Sequence, residues 1–274
     1  MNPTIVLSLC LLTGTCLKAR AGAWPVRPGA GKAVLSASFL KAGSVTDAEG
    51  DKRTFDIEET ALSTFGEIGL TPSLAAGWSW SPVKSADADS FQAVSLGDPE
   101  LSLSWHLKSS GALQLAAQAI TAFPLGSDNP QGSPEYLYAV FSHRAFAFEI
   151  RPVAGWAGGG FWLQGGAGPR LRTSGLASQF HYNLAGGGGI GPRAAWLLAF
   201  SGVTPLDTEP AGKPGDQEQY FGYQAAVEYR FAPAWQAGLQ FDSMLTLGRE
   251  MPLGGRFNLF ARRAWNGPRR NPVR

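Results

Sequence analysis

Along most of this chain, apolar side chains fall at every second position. In "WQAGLQFDSMLTL", Trp235, Ala237, Leu239, Phe241, Leu245 and Leu247 share one face; Gln236, Gly238, Gln240, Asp242 and Thr246 share the other. "YFGYQAAVEYRF" sets Phe221, Tyr223, Ala225, Val227, Tyr229 and Phe231 against Gly222, Gln224, Glu228 and Arg230. "LSLSWHLK" sets Leu101, Leu103, Trp105 and Leu107 against Ser102, Ser104, His106 and Lys108. A period of two puts successive side chains on opposite faces of a sheet. Helical periodicity is poor, because glycine and proline interrupt nearly every window. After residue 22 no stretch reaches the roughly 18 consecutive apolar residues of a transmembrane helix.

Twelve such segments follow one another, near 32–41, 54–70, 74–82, 98–108, 111–123, 135–150, 160–172, 178–188, 195–205, 219–231, 235–247 and 256–265. Their connections alternate in kind. "GSVTDAEGDKRT", "VKSADADSFQAVSLG", "PLGSDNPQGSP" and "LDTEPAGKPGDQE" are long and polar, whereas "TPS", "SG" and "APA" are short. The middle of the chain breaks this rule. Two stretches, "GEIGLTPSLAAGWSW" (66–80) and "VEYRFAPAWQAGLQF" (227–241), repeat one pattern around a proline. Each reads as a hairpin: proline presets its own φ for a turn and lacks the N–H that a strand interior needs. Short turns on one side and long loops on the other predict an antiparallel up-and-down transmembrane β-barrel of about twelve strands, with short periplasmic turns and both termini periplasmic. Trp78, Trp80 and Trp235 then fit aromatic belts at the membrane interfaces. A soluble β-sandwich would alternate too. Against it stand apolar faces rich in Trp, Tyr, Phe and Leu, and a charged fraction of 16%, below the usual quarter.

The N-terminus changes the setting. Residues 4–17, "TIVLSLCLLTGTCL", form an apolar run, and Ala19-Arg20-Ala21 fits a small-x-small cleavage site. We expect a signal peptide over 1–21, a short periplasmic segment over 22–31, a barrel over 32–265 and a basic periplasmic tail over 266–274. Both cysteines, Cys10 and Cys16, lie in the signal. The mature chain therefore has no disulfide or thiolate metal site. Without Lys18 and Arg20 the 23 basic residues fall to 21, equal to the acidic ones, which gives no argument for nucleic acid. Destination and route follow: the bacterial outer membrane, after secretion through the inner membrane.

Candidate chemistry is sparse. Of the histidines His106, His143 and His181, none has metal-ligand spacing, and no cofactor is expected. His106 shares a face with Ser104, the pair an outer-membrane lipid-modifying hydrolase would need; hydrogen bonding in the lumen is the plainer role. "GAGK" (29–32) lacks the first glycine of a phosphate loop. "AGGGGIG" and "AGGGF" read as turns, or as strands approached closely by a neighbour. Glu67, His106, Glu228, Arg230, Gln240 and Asp242 are candidate lumen-lining residues, the charges either shaping permeation or neutralising one another in a plugged barrel. Acidic residues concentrate in the long loops: Asp47, Glu49, Asp51, Asp87, Asp89, Asp128, Asp207, Glu209 and Asp216. They read as solvated, or as engaging divalent ions between lipopolysaccharide heads. Arg256, Arg262, Arg263, Arg269, Arg270 and Arg274 make the end basic, as a solvated tail or one touching anionic lipid.

"GAWP" (22–25), "GLTPSLAAG" (69–77), "LGDPELSLSW" (96–105) and "FPLG" (123–126) come in an order that resembles the meta-pathway phenol-degradation family of Gram-negative outer-membrane barrels, itself related to transporters of hydrophobic compounds. The resemblance implies an outer-membrane location and passive uptake of small hydrophobic or aromatic solutes; outer-membrane lipid and lipopolysaccharide are the expected surroundings, the barrel-assembly machinery an expected partner, and no enzymatic activity is expected. A structural barrel with a filled interior is the other expectation. Such barrels commonly end on an aromatic residue; here "NGPRRNPVR" follows Trp265, so the tail is an appendage or the last strand lies elsewhere.

Overall fold

The computed structural model describes residues 22–46, 52–88, 91–126, 145–206, 219–244 and 251–266. They hold thirteen strands: β1 (Gly31–Thr46), β2 (Lys52–Gly69), β3 (Leu74–Ala88), β4 (Phe91–Ser95), β5 (Glu100–Ser110), β6 (Leu113–Ala122), β7 (Ala147–Gly158), β8 (Phe161–Arg172), β9 (Gln179–Ile190), β10 (Ala194–Pro205), β11 (Tyr220–Ala232), β12 (Trp235–Met244) and β13 (Met251–Trp265). Twelve of them form a ring in chain order, each antiparallel to its neighbours, and β13 returns to β1. That last seam runs from Gly31 opposite Trp265 to Thr46 opposite Met251, so the sheet has no free border. The short β4 stands outside the ring, paired with the outer end of β3 from Lys84 to Ala88.

Five tight turns and both described chain ends lie at one end of the barrel. Thr71-Pro72-Ser73 is one of these turns: the Leu70 and Thr71 amides both donate to the Leu74 carbonyl, at 2.8 and 3.1 Å. Pro233-Ala234 is another. The twelve-stranded barrel and the strand end at Trp265 agree with the sequence. The expected signal (1–21) and the tail from residue 267 lie outside the described residues. The stretch 22–30 lies in the barrel mouth at the turn end. Gly31 already belongs to β1, and Ala23 is fully buried because the apolar Ala-Trp pair finds a surface there.

The middle of the chain differs from its sequence reading, and one proline explains most of the difference. The sixth strand is Ala147–Gly158, not 135–150, and residues 127–144 lie outside those described. Pro152 cannot donate to a ladder. Pairing of β7 with β8 stops after Glu149–Arg170 and resumes at Val153–Gly166. The run beyond Pro152 therefore looked like a loop. It is strand, and it turns at Gly159-Gly160, both with positive φ (61° and 86°), which only glycine adopts freely. With β9–β10 also joined by three residues, 191–193, the short-turn rule holds right through the chain. Two expected loops also shrink. β1 and β2 run to Thr46 and from Lys52, and β3 with β4 occupies most of 83–97.

Alternation splits the wall into two faces. The outer face carries Leu239 and Leu259 (each 64% exposed), Val227, Ile150, Leu103, Leu163, Leu184 and Leu198. Trp105, Trp156, Phe161, Trp196, Tyr229, Phe231 and Trp235 ring it near the turn end, where Arg263 lies 5.5 Å over the Trp235 ring. Phe148, Phe180, Tyr182, Phe200, Phe221, Tyr223, Phe241 and Phe257 ring the other side, several in ring contact at 5.0–6.2 Å. Trp80 belongs to this outer ring and donates its Nε1 to the Gly97 carbonyl at 2.9 Å. β5 to β12, of ten to thirteen residues and tilted as barrels tilt, give an apolar band of roughly 25 Å between the rings. Such a band far exceeds the few hundred Å² of contiguous apolar surface that water-soluble monomers expose. Arginine in mid-band should therefore be costly. We expect Leu239→Arg to lower stability by roughly 2–4 kcal/mol in denaturant titrations of protein refolded into lipid vesicles, and an unchanged midpoint would remove lipid from this face.

Candidate functional site

The interior is built from the residues that alternate with the lipid-side band. Its turn end is occupied by Gly22–Ala30, which crosses the mouth from β7 and β8, past β5 and β3, to the start of β1. Trp24 meets Trp162 edge to face, with ring centroids 6.0 Å apart and planes at 86°. Trp162 is 1% exposed and belongs to an apolar cluster with Ala185, Leu197, Ala199 and Ala226. Glycines admit both indoles: a Cβ on Gly155 would lie 2.9 Å from Trp24, and one on Gly187 would lie 2.8 Å from Trp162. Of the two sequence readings of "AGGGGIG", this is the strand approached closely by a neighbour. The Ala23 carbonyl lies 3.0 Å from His106 Nδ1. Further along, Gly29 N donates to the Gly69 carbonyl, and Gly69 N to that of Ala30, at 2.8 and 2.9 Å. Trp265 Nε1 donates to the Gly29 carbonyl at 3.1 Å.

Charged side chains fill much of the remaining wall, and three of their pairs span strands that are not neighbours. Arg262 on β13 reaches Glu228 on β11 at 3.0 Å, passing over β12, where Gln236 also accepts from it. Arg256 on β13 reaches Glu59 on β2 at 3.0 Å, passing over β1; Lys84 lies 3.9 Å from the same carboxylate. Arg170 on β8 reaches Glu100 on β5 at 2.7 Å across two strands. Beside it Glu149 pairs with Arg151, Arg170 (3.8 Å) and His181 (3.5 Å), and Arg151 donates to Asn183 at 2.9 Å. Lys32 meets Glu67 at 3.0 Å, with both side chains nearly fully buried. These contacts brace the wall from inside. Pairs that share a low-dielectric interior attract strongly, but taking them from water costs about as much, so they fix geometry more than they add stability.

The six residues singled out by sequence take distinct positions. Glu67 (5% exposed), Glu228 (6%) and Gln240 (3%) are buried inside the barrel. Asp242 accepts from Asn258 at 2.7 Å and from Gln240 at 3.2 Å. Arg230 is half-buried near the turn end. His106 does not pair with Ser104, which accepts from Gln118 at 3.0 Å. Its Nε2 lies 2.8 Å from Ser109 Oγ, which donates to Gln114 at 2.5 Å. Ser109 is exposed, and no carboxylate is among these contacts, so we read His106 as a clamp on the mouth segment. Among the described residues no three His, Cys, Asp or Glu side chains converge as a metal site would.

Sequence reading missed Lys32, Glu59, Glu100, Glu149, Arg151 and Arg170. Arg256 and Arg262, counted with the basic end, sit in the strand expected over 256–265. They alternate with Phe257, Leu259 and Ala261 in β13 and point inward with Asn258 and Phe260. The alternation of "RFNLFARRAW" carried that signal. Of the acidic loop residues, Asp87 is described, on β3, where Gln92 donates to it at 3.2 Å; the others lie outside the described residues.

No protein-family model matches this chain, and no curated protein matches it. Solved structures do. An outer membrane channel from Pseudomonas putida F1 superposes with a TM-score of 0.66 at 16% identity, covering 89% of this chain and 97% of that one. The NanC porin superposes with a TM-score of 0.51 at 10% identity, covering 85% and 100%. The translocator domain of the autotransporter NalP from Neisseria meningitidis superposes with a TM-score of 0.51 at 9% identity, covering 96% and 92%. At these identities the likeness is one of fold: a closed antiparallel barrel of the outer-membrane type.

Proposed function

We propose that this chain is a channel of the bacterial outer membrane that lets small hydrophobic or aromatic molecules pass, its periplasmic mouth closed by Gly22–Ala30. The observation that carries this reading is the inner face of β10. Ala195, Leu197, Ala199 and Val203 line it, each buried, with half-buried Ser201 as the polar interruption. Ala185 and Ala226 flank it and Trp162 extends it toward the turn end. An apolar track of this kind gives a hydrophobic body somewhere to slide, while the ion-paired walls hold water and any polar group. Trp24 packs against the same cluster, so the segment that closes the mouth sits where a solute would travel. The turn end is taken as periplasmic because outer-membrane barrels keep their short turns there. The order of "GAWP", "GLTPSLAAG", "LGDPELSLSW" and "FPLG" supports the aromatic solute class.

Three outcomes test this. Trp24→Ala removes an edge-to-face contact worth about 0.5–1.5 kcal/mol, so open probability in planar bilayers rises several-fold, up to about tenfold. Equal conductance of the two proteins would detach Trp24 from gating. In the open variant, an aromatic alcohol interrupts the ionic current more than a sugar of similar mass, and Leu197→Gln abolishes the difference; equal block by both solutes would refute the apolar track. Glu228→Ala strands a buried Arg262 and costs roughly 3 kcal/mol, toward the low end for a broken buried pair because Gln236 still accepts from the guanidinium. Chemical denaturation in vesicles measures it, and a loss below about 1 kcal/mol, the worth of an exposed pair, would make Arg262–Glu228 a water-exposed contact.

A further inference from the structure

Inside the mouth, Gln164 points an amide oxygen at the point where the chain is expected to be cut. Gln164 is 8% exposed, and its Oε1 is a buried acceptor with no hydrogen-bond donor in reach. A buried polar atom left so is costly and calls for an explanation. Gly22 lies beside it: a Cβ placed on that residue would lie 2.6 Å from Gln164 Oε1. The nitrogen of Gly22 hangs from the same Cα; as a peptide amide it makes no bond to this oxygen, and once freed by cleavage it can turn toward it. Independently, Ala19-Arg20-Ala21 sets the cleavage point before Gly22. Two unrelated observations meet at one atom.

We infer that the mature α-ammonium of Gly22 is bound inside the barrel by Gln164 and acts as the latch of the mouth segment. Hydrolysis of the Ala21–Gly22 bond by a leader peptidase consumes one water and leaves a carboxylate on Ala21 and an ammonium on Gly22. That ammonium donates to Gln164 Oε1. Gly22 is half-buried, so the charge keeps part of its hydration, which limits the cost of moving it off bulk water. With Trp24 on Trp162 and the Ala23 carbonyl on His106, the segment is held at three successive residues. Glycine at 22 leaves Gln164 the room to approach. Processing would then complete the gate, since an amide at this position carries no charge and a longer chain has no free amine there. The latch deepens the channel reading and rests on it for its role in gating, but not for its existence.

The experiment uses the mature protein purified from outer membranes in detergent micelles. Intact mass is expected to match a chain starting at Gly22. Acylation of that amine by an amine-specific reagent is then timed, by mass spectrometry of the N-terminal peptide, against the same protein unfolded. We expect at least tenfold slower labelling when folded, retention of that protection in Gln164→Glu, and loss of most of it in Gln164→Leu. A different mature start, labelling at the unfolded rate, or protection that survives in Gln164→Leu would each overturn the latch. Bilayer recordings on the same samples keep the two readings apart. Protection without conductance in any variant would sink the channel and leave the latch standing, and conductance with an unprotected amine would do the reverse.

Discussion

Lipid offers no partner to a peptide N–H or C=O, so a sheet that crosses it must pair with itself all the way round. The seam between β1 and β13, fifteen paired positions from Gly31–Trp265 to Thr46–Met251, meets that requirement here. Everything else follows from it. A closed wall has an outside and an inside, and alternation sends each side chain to one or the other. Most leucines, valines and aromatic rings go to the lipid; glutamate, glutamine and the paired arginines go inward.

The inside has its own logic. Charges that could not face lipid meet each other instead, and they do so across skipped strands, as in Arg262–Glu228 and Arg170–Glu100. Such contacts depend on the curvature of the wall, which brings second and third neighbours together. They leave β10 free of charge, an apolar strip beside the ion-paired wall. The mouth segment uses that strip as its seat. On the proposed reading, closure and solute path are two uses of one surface, and a solute that binds the strip would compete with Trp24.

How much of this could be read from the chain depends on distance along it. Alternation is local, so the faces of β5, β11 and β12 were legible residue by residue, as were the turns at Pro72 and Pro233. The β7 strand was not, because Pro152 breaks the local pattern while β6 alone keeps pairing with it across the gap. The inward placement of Glu67, Glu228, Gln240 and Asp242 followed from period two alone. Their partners did not. Arg256 meets Glu59 from 197 residues away, which depends on barrel closure and register rather than on any local motif. Arg262 fell inside the expected last strand, where its parity pointed inward, but its pairing with Glu228 across β12 was not visible along the chain.

Closure is the claim from which the rest derives, and amide hydrogen exchange in lipid bilayers reads it directly. The account predicts that the amides of β1 and β13 between residues 33–40 and 256–263 exchange as slowly as those of β9 and β10, which are paired on both sides. Exchange of the two seam strands at the rate of unprotected peptide, with the remaining strands still protected, would mean an open sheet and would contradict it.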